Sequence, residues 1–180
     1  MKRLLFLIVL VTGNYIATAQ EGRYGIRAGV NFSSIDSDDI DEDLEDGRIG
    51  ITVGFVAEYM FSDTFSIQPE LQYASQGNDD EVLQVDYLQL PVLFKYNFSE
   101  AVHMFLGPQP GLKIWEWEDN GNLEVDFNTF DLAALAGIGI FITEEFFIDI
   151  RYSYGFTDVF DSDGIKGSNR NIQVGVGYRL

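Results

Sequence analysis

Nine ionisable residues occur in stretches where every second residue is apolar, always on the opposite parity from the apolar set. They are Arg27, Glu58, Glu70, Lys95, Lys113, Asp131, Asp149, Arg151 and Arg179. If those stretches are strands, the charges all point away from the apolar face. Charges of both signs held in an interior must pair, so the expected chemistry is a salt-bridge and hydrogen-bond network. The sharper alternative is a ligand or proton pathway. The structural reading is preferred, and Arg27, Glu58, Glu70, Lys95, Lys113, Asp131, Asp149 and Arg151 are read as one interior charge network.

Other chemistry is sparse. His103 is the single histidine and the chain has no cysteine. Thiolate metal sites, disulfides and Cys nucleophiles are excluded, and a zinc site would lack its usual ligands. A hydrolase would need His103 as a base beside a nucleophile, but it faces inward at the start of the fifth segment beside a periplasmic turn, the wrong end for a surface hydrolase. Eight of the eleven residues from Asp36 to Asp46 are acidic. A solvated loop extended by self-repulsion explains this run. Asp39, Asp41 and Asp43 begin like a calcium loop. However, Leu44 and Gly50 stand where that loop needs its Gly and its closing Glu, so no metal site is assigned. No catalytic residue or cofactor is expected. The formal net charge is −18, which disfavours nucleic-acid binding because phosphates require a basic face.

The elements that carry these residues repeat with period two. In Tyr24 to Ser33 the apolar set is Tyr24, Ile26, Ala28, Val30 and Phe32. Segments 49–60, 65–75, 87–98, 102–115, 127–142, 146–156 and 171–180 follow the same rule. Val56, Met60, Leu135 and Phe141 are apolar misfits on the polar face. Most segments match the ~9–11 residues of a tilted membrane-spanning strand. The expected fold is all-β, an eight-stranded antiparallel up-and-down transmembrane β-barrel. Pro108 and Pro110 share one parity, so their missing N–H groups face the same neighbour. The flanking Gly107 and Gly111 suggest a bulge or bend there.

Three further features favour a membrane barrel over a soluble sandwich. Tight turns at 61–64, 99–101 and 143–145 alternate with long polar connections at 34–48, 76–86, 116–126 and 157–169, the outer-membrane pattern. Aromatics gather near strand ends, as in interfacial girdles. The chain also stops on a strand, and Gln173, Gly175, Tyr178 and Leu180 resemble the C-terminal signal read by the barrel-assembly machinery. An aromatic residue is commoner than Leu180 at the last position. At the other end, Lys2 and Arg3, the apolar stretch Leu4 to Val11 and Ala17-Thr18-Ala19 form a signal peptide with its cleavage site. Residues 1–19 are expected to be removed, leaving a barrel domain of residues 20–180. Its location is the outer membrane of a Gram-negative bacterium, in contact with outer-membrane lipid. The turn and loop pattern puts both termini on the periplasmic side.

The mature chain resembles the PorT-like outer-membrane barrel family of Bacteroidetes. The resemblance rests on Gly25-Ile26-Arg27-Ala28-Gly29-Val30-Asn31, Pro69-Glu70-Leu71-Gln72-Tyr73 and, most specifically, Tyr87-Leu88-Gln89-Leu90-Pro91-Val92-Leu93-Phe94-Lys95-Tyr96. Gly107-Pro108-Gln109-Pro110-Gly111 and the Gly-rich last strand add to it. It implies an eight-stranded barrel and little about activity, because the family is functionally mixed. The leading functional expectation is a non-enzymatic protein with a structural or surface-interaction role through acidic external loops. The alternative is an accessory component of a secretion or envelope-assembly complex, with an envelope protein as partner. A narrow transporter or channel ranks third. A lipocalin-like carrier ranks last because it would invert the parity.

Overall fold

Alternation of apolar and polar residues commits a chain to strands whose two faces meet different surroundings. In the computed structural model, which describes residues 22–36, 47–77, 84–116, 128–157 and 167–180, nearly all of these residues outside the turns form strands. In chain order they are β1 (Gly22–Asp36), β2 (Arg48–Met60), β3 (Phe65–Gly77), β4 (Gln84–Gln89), β5 (Val92–Asn97), β6 (Val102–Glu116), β7 (Phe130–Phe141), β8 (Phe146–Gly155) and β9 (Ser168–Arg179). Every pairing is antiparallel; with β4 and β5 counted together, each joins neighbours in the chain, except that β9 returns to β1 from Gly25↔Arg179 to Asp36↔Ser168. That last pairing closes the sheet into a barrel and leaves no edge strand.

β4 and β5 are two halves of one stave. Both lie between β3 and β6, pairing Gln72↔Gln89 and Pro69↔Val92 on one side and Leu88↔Leu112 and Phe94↔Leu106 on the other. The wall therefore has eight staves. The break falls at Leu90 and Pro91. All four prolines of the chain gather around it: Pro69 on β3, Pro91 in the gap, and Pro108 and Pro110 on β6. Leu90 N–H donates to the Pro110 carbonyl at 2.8 Å. The same backbone edge of β6 therefore turns the missing N–H groups of Pro108 and Pro110 toward this interrupted stave. The Val92 carbonyl oxygen fills the space that a Cβ at residue 107 would need, so Gly107 is what lets the broken stave approach.

Of the bulge or bend expected at Gly107–Gly111, the register corrects the bulge. Leu88↔Leu112 and Phe94↔Leu106 keep one frame across that stretch. The shift lies between Asp86 and Tyr87, opposite Ile114. Several strands also run further than their apolar patterns. Ser34 to Asp36, Gln84 to Asp86 and Glu116 belong to strands although their polarity reads as loop.

The three short turns share one device. Ser62, Ser99 and Thr143 each accept, on the side-chain oxygen, backbone N–H groups two and three residues on. Such hydroxyl turns replace ladder bonds where the chain reverses. These turns and both described chain ends lie at one end of the barrel, the turn end. The expected signal peptide (residues 1–19) and residues 37–46 of the acidic run lie outside the described residues.

The outer wall is apolar and exposed along every stave. In β8, Phe146, Ile148, Ile150, Tyr152 and Tyr154 are outward, while Phe147, Asp149, Arg151 and Ser153 are buried. The lumen is mostly polar. Its apolar side chains include a cluster of Leu93, Phe105 and Leu135 on three adjacent staves, and Val56, Val85, Tyr87 and Phe147 are also buried.

Candidate functional site

The lumen is where the chain concentrates its chemistry. At mid-height Arg27, Glu70, Asp149 and Arg151 converge from β1, β3 and β8. Arg27 donates through Nη2 to Asp149 Oδ1 at 2.6 Å and through Nε to Oδ2 at 2.9 Å. Arg151 donates through Nη1 to Glu70 Oε2 at 2.7 Å and through Nη2 to Asp149 Oδ2 at 3.0 Å. Two cations thus meet two carboxylates, with forked guanidinium geometry that a lysine would not reproduce. Arg27 also donates to Thr52 Oγ1 at 3.1 Å and to Gln173 Oε1 at 3.3 Å. The Phe105 ring lies 5.1 Å from the Arg151 guanidinium carbon.

A second group lies nearer the turn end. Lys95 Nζ is 3.0 Å and Arg179 Nη2 is 2.8 Å from the Glu58 carboxylate, which also accepts from Ser66 Oγ at 2.7 Å. Gln68 joins the two groups, accepting from Lys95 at 2.9 Å and donating to Glu70 at 2.6 Å. The Phe141 ring sits 4.1 Å below the Arg179 guanidinium carbon.

Large inward side chains need flat neighbours, and inward glycines supply them. A Cβ at Gly175 would fall on the Arg27 guanidinium, and one at Gly177 on the Phe147 ring. Gly137 and Gly139 likewise seat Phe105 and His103. Glycine weakens strands in general. Here its missing side chain makes room for a neighbour.

The sequence-predicted residues do not form one network. Arg27, Glu70, Asp149 and Arg151 come together, as do Glu58 and Lys95, and Gln68 bridges them. Asp131 lies apart toward the other end, the loop end, where it accepts from Thr157 Oγ1 at 2.8 Å. Lys113 is half-buried on the loop-end part of β6, away from the central group. Parity places Gln68 and Thr52 on polar faces, but neutral residues there give no pairing signal. A further cluster joins the end of an expected strand, at Tyr73 and Ser75, to Asp86 and Arg48 from segments expected to be loops. Asp86 accepts from Tyr73 at 2.8 Å and Ser75 at 2.9 Å, with Arg48 Nη1 at 3.8 Å. His103 is buried between the Phe105 and Phe141 rings, at 5.9 and 5.0 Å. Gln173 and Gly175 face the lumen. Tyr178 is on the outer wall against Phe146 at 4.8 Å, and Leu180 N–H donates to the Tyr24 carbonyl.

A model of the outer membrane protein beta-barrel domain matches residues 18–161, most of the chain. The protein belongs to that family. Its apolar wall therefore stands in outer-membrane lipid, and among the described residues the inward side chains are buried away from it. Two solved structures share the fold. Neisserial surface protein A is 15% identical, with 87% of this chain and 97% of that chain covered and a TM-score of 0.64. The attachment invasion locus protein Ail of Yersinia pestis is 20% identical, with 89% and 99% covered and a TM-score of 0.57. Ail has also been crystallised with the heparin analogue sucrose octasulfate, at 21% identity and a TM-score of 0.55. No curated protein sequence matches the chain.

An eight-stave barrel is narrow enough for side chains to fill, and in this family member two ionic groups and several buried apolar side chains occupy the lumen. Purified protein in planar bilayers should therefore show no stable pore of large conductance. Reproducible porin-sized currents from the monomer would contradict this packing.

Proposed function

We propose that this outer-membrane barrel is a non-enzymatic scaffold that presents acidic loops at the cell surface. The observation that carries this reading is the division of charge. The central ionic groups of the lumen pair with one another, whereas the long connections carry far more acids than bases. Asp36 to Asp46 holds eight. Asp79, Asp80 and Glu81, then Glu118, Asp119, Glu124 and Asp126, then Asp158, Asp161 and Asp163 follow in the other three, with Lys166 as their one cation. We place the loop end outside and both termini in the periplasm. We further propose that residues 1–19 are cleaved, and that Gln173, Gly175, Tyr178 and Leu180 are read by the assembly machinery. The interior charges then serve structure.

Loops of this charge repel polyanions. The heparin analogue crystallised with Ail is thus the opposite of the ligand proposed here, a basic or divalent-bridged envelope partner. Replacing the eight acids of 36–46 with Asn and Gln should leave the barrel folded, since Asp36 pairs at the end of β1 through its backbone, which the substitution keeps, and the other seven follow the described end of that strand. It should weaken partner retention on intact cells, most at low salt, where screening is least.

The PorT-like reading, an accessory of a secretion or envelope-assembly complex, is favoured by a different observation. The turn end also exposes acids: Asp63, Glu100, Glu144 and Glu145. Under that reading the loop replacement does little, and changes at these turns release the partner. Loss of the partner with turn variants alone would reject the surface-interaction reading.

A further inference from the structure

The turn end of the lumen carries more positive charge than it pairs. Arg23 faces Glu58 across β1 and β2, and Gly25 faces Arg179 across β1 and β9. Both pairs stand on the inward parity. Glu58 is already committed, holding Lys95 at 3.0 Å, Arg179 at 2.8 Å and Ser66 at 2.7 Å. Arg23 is exposed at the mouth and makes no hydrogen bond or ion pair among the described residues. It lies close enough to repel Arg179. Arg23, Lys95 and Arg179 thus surround a single carboxylate, a local excess of positive charge in a chain whose net charge is −18.

The nearest turn does not supply the missing acid. Arg179 N–H donates to the Glu145 carbonyl at 2.8 Å, so the turn between β7 and β8 lies beside it. Yet the Glu145 carboxylate accepts from Thr143 Oγ1 at 3.0 Å, and neither Glu144 nor Glu145 pairs with an arginine among the described residues. Lys95 uses its donors on Glu58 and Gln68. Arg179 uses Nη2 on Glu58 and rests one face on the Phe141 ring. The other N–H groups of its fork are free to donate.

These groups enclose space. A cavity of about 20 Å³ lies between Arg23, Glu58, Lys95, Arg179 and the rings of Phe141 and Phe147. That is room for about one oxygen atom, with the rest of a ligand standing in the open mouth beside Arg23. Glu58 holds Lys95 and Arg179 in place before any ligand arrives, which lowers the cost of binding. The charge selects the class of ligand. A carboxylate brings a single negative charge, whereas a phosphate monoester brings about −1.5 to −2 at neutral pH, closer to the local excess. Guanidinium forks also match phosphate oxygens with paired N–H groups.

We propose that the turn-end mouth is a phosphate-binding site, in which Arg23 and Arg179 donate to the oxyanion and Lys95 adds its charge. The ligand is inorganic phosphate or a soluble phosphate monoester. With both termini periplasmic it comes from the periplasm, but the site itself does not depend on that orientation.

The test uses the full barrel in phosphatidylcholine nanodiscs, labelled with nitrogen-15 in its arginine side chains and held at constant ionic strength. Nanodiscs expose both ends of the barrel, so the result is independent of the surface-interaction reading. Inorganic phosphate should shift the Arg179 Nε–H signal saturably. Arg23→Gln removes a cation with no protein partner, so unboiled gel mobility should still report a folded barrel. Its phosphate affinity should fall about tenfold or more, the worth of a charge-assisted hydrogen bond. Arg170→Gln, at the loop end, should leave the affinity unchanged. The absence of a saturable shift, or equal losses with the two variants, would show diffuse attraction and overturn the proposal. Acetate should bind more weakly than phosphate, and acetate binding as tightly would refute the phosphate class. Phosphatidylglycerol in the nanodisc supplies a second source of phosphate. An unchanged response to inorganic phosphate supports a soluble ligand, whereas its loss would assign the site to lipid headgroups and refute the soluble source.

Discussion

Arg151→Met should destabilise the folded barrel by roughly 3–5 kcal/mol, the cost of removing one partner from a buried ion pair. Arg151 is 1% exposed and contacts both Glu70 and Asp149. Its loss strands Glu70 without a cation in direct contact, since Arg27 is committed to Asp149. Methionine keeps most of the volume against Phe105, so the loss measures charge more than packing. Adding Glu70→Gln removes the stranded carboxylate and leaves Arg27 paired with Asp149. The double variant should therefore recover more than half of the loss. Urea unfolding in lipid vesicles reads both numbers. A single variant that costs under about 1 kcal/mol would show that this pair behaves like an exposed one and does not hold the staves together.

Moving a charge to the opposite face should be nearly as harmful for a different reason. Ile150 is 47% exposed on the outer wall, between Ile138 and Val174 on the flanking staves. Ile150→Arg puts a guanidinium into hydrocarbon near mid-height, a penalty of about 2–4 kcal/mol for a lipid-facing charge at the midplane. Ser153→Arg, three residues on, points into the polar lumen beside Asn171 and should cost less. The same unfolding assay compares them. Equal losses at the two sites would contradict the assignment of faces.

The sequence made the faces legible because parity in a strand is a local property: each side chain's direction follows from its neighbours two residues away. It did not make heights around the barrel legible. Lys113 and Asp131 share the inward parity of Arg151, yet strand stagger carries them toward the loop end. Stagger belongs to closure of the whole sheet, so no single segment reveals it. The pairing of Gln68 was not legible for the same reason, because its partners Lys95 and Glu70 are set by register between staves. Val56 and Leu135 looked like errors in the alternation. Leu135 joins Leu93 and Phe105 in an apolar patch inside the lumen, and Val56 is buried there too. Gly175 was legible only as part of a terminal pattern. Its physical reason, the Arg27 side chain lying across it, needs the β1–β9 pairing that closes the barrel. Pro91 falls inside the expected strand 87–98 with no break legible there, and only the positions of the other three prolines explain why the stave can break.

The most direct test of the whole account is a nitroxide scan of β8. The chain has no cysteine, so single cysteines can be introduced at each position from Phe147 to Tyr154 and spin-labelled without background. In lipid vesicles, labels at 148, 150, 152 and 154 should collide freely with oxygen dissolved in the bilayer. Labels at 147, 149, 151 and 153 should be shielded, or should perturb folding where they displace the buried charges. The account predicts an oscillation in oxygen accessibility with period two, highest at the even positions. A flat profile, a period near 3.6, or a maximum at the odd positions would contradict a closed barrel with its charges inside.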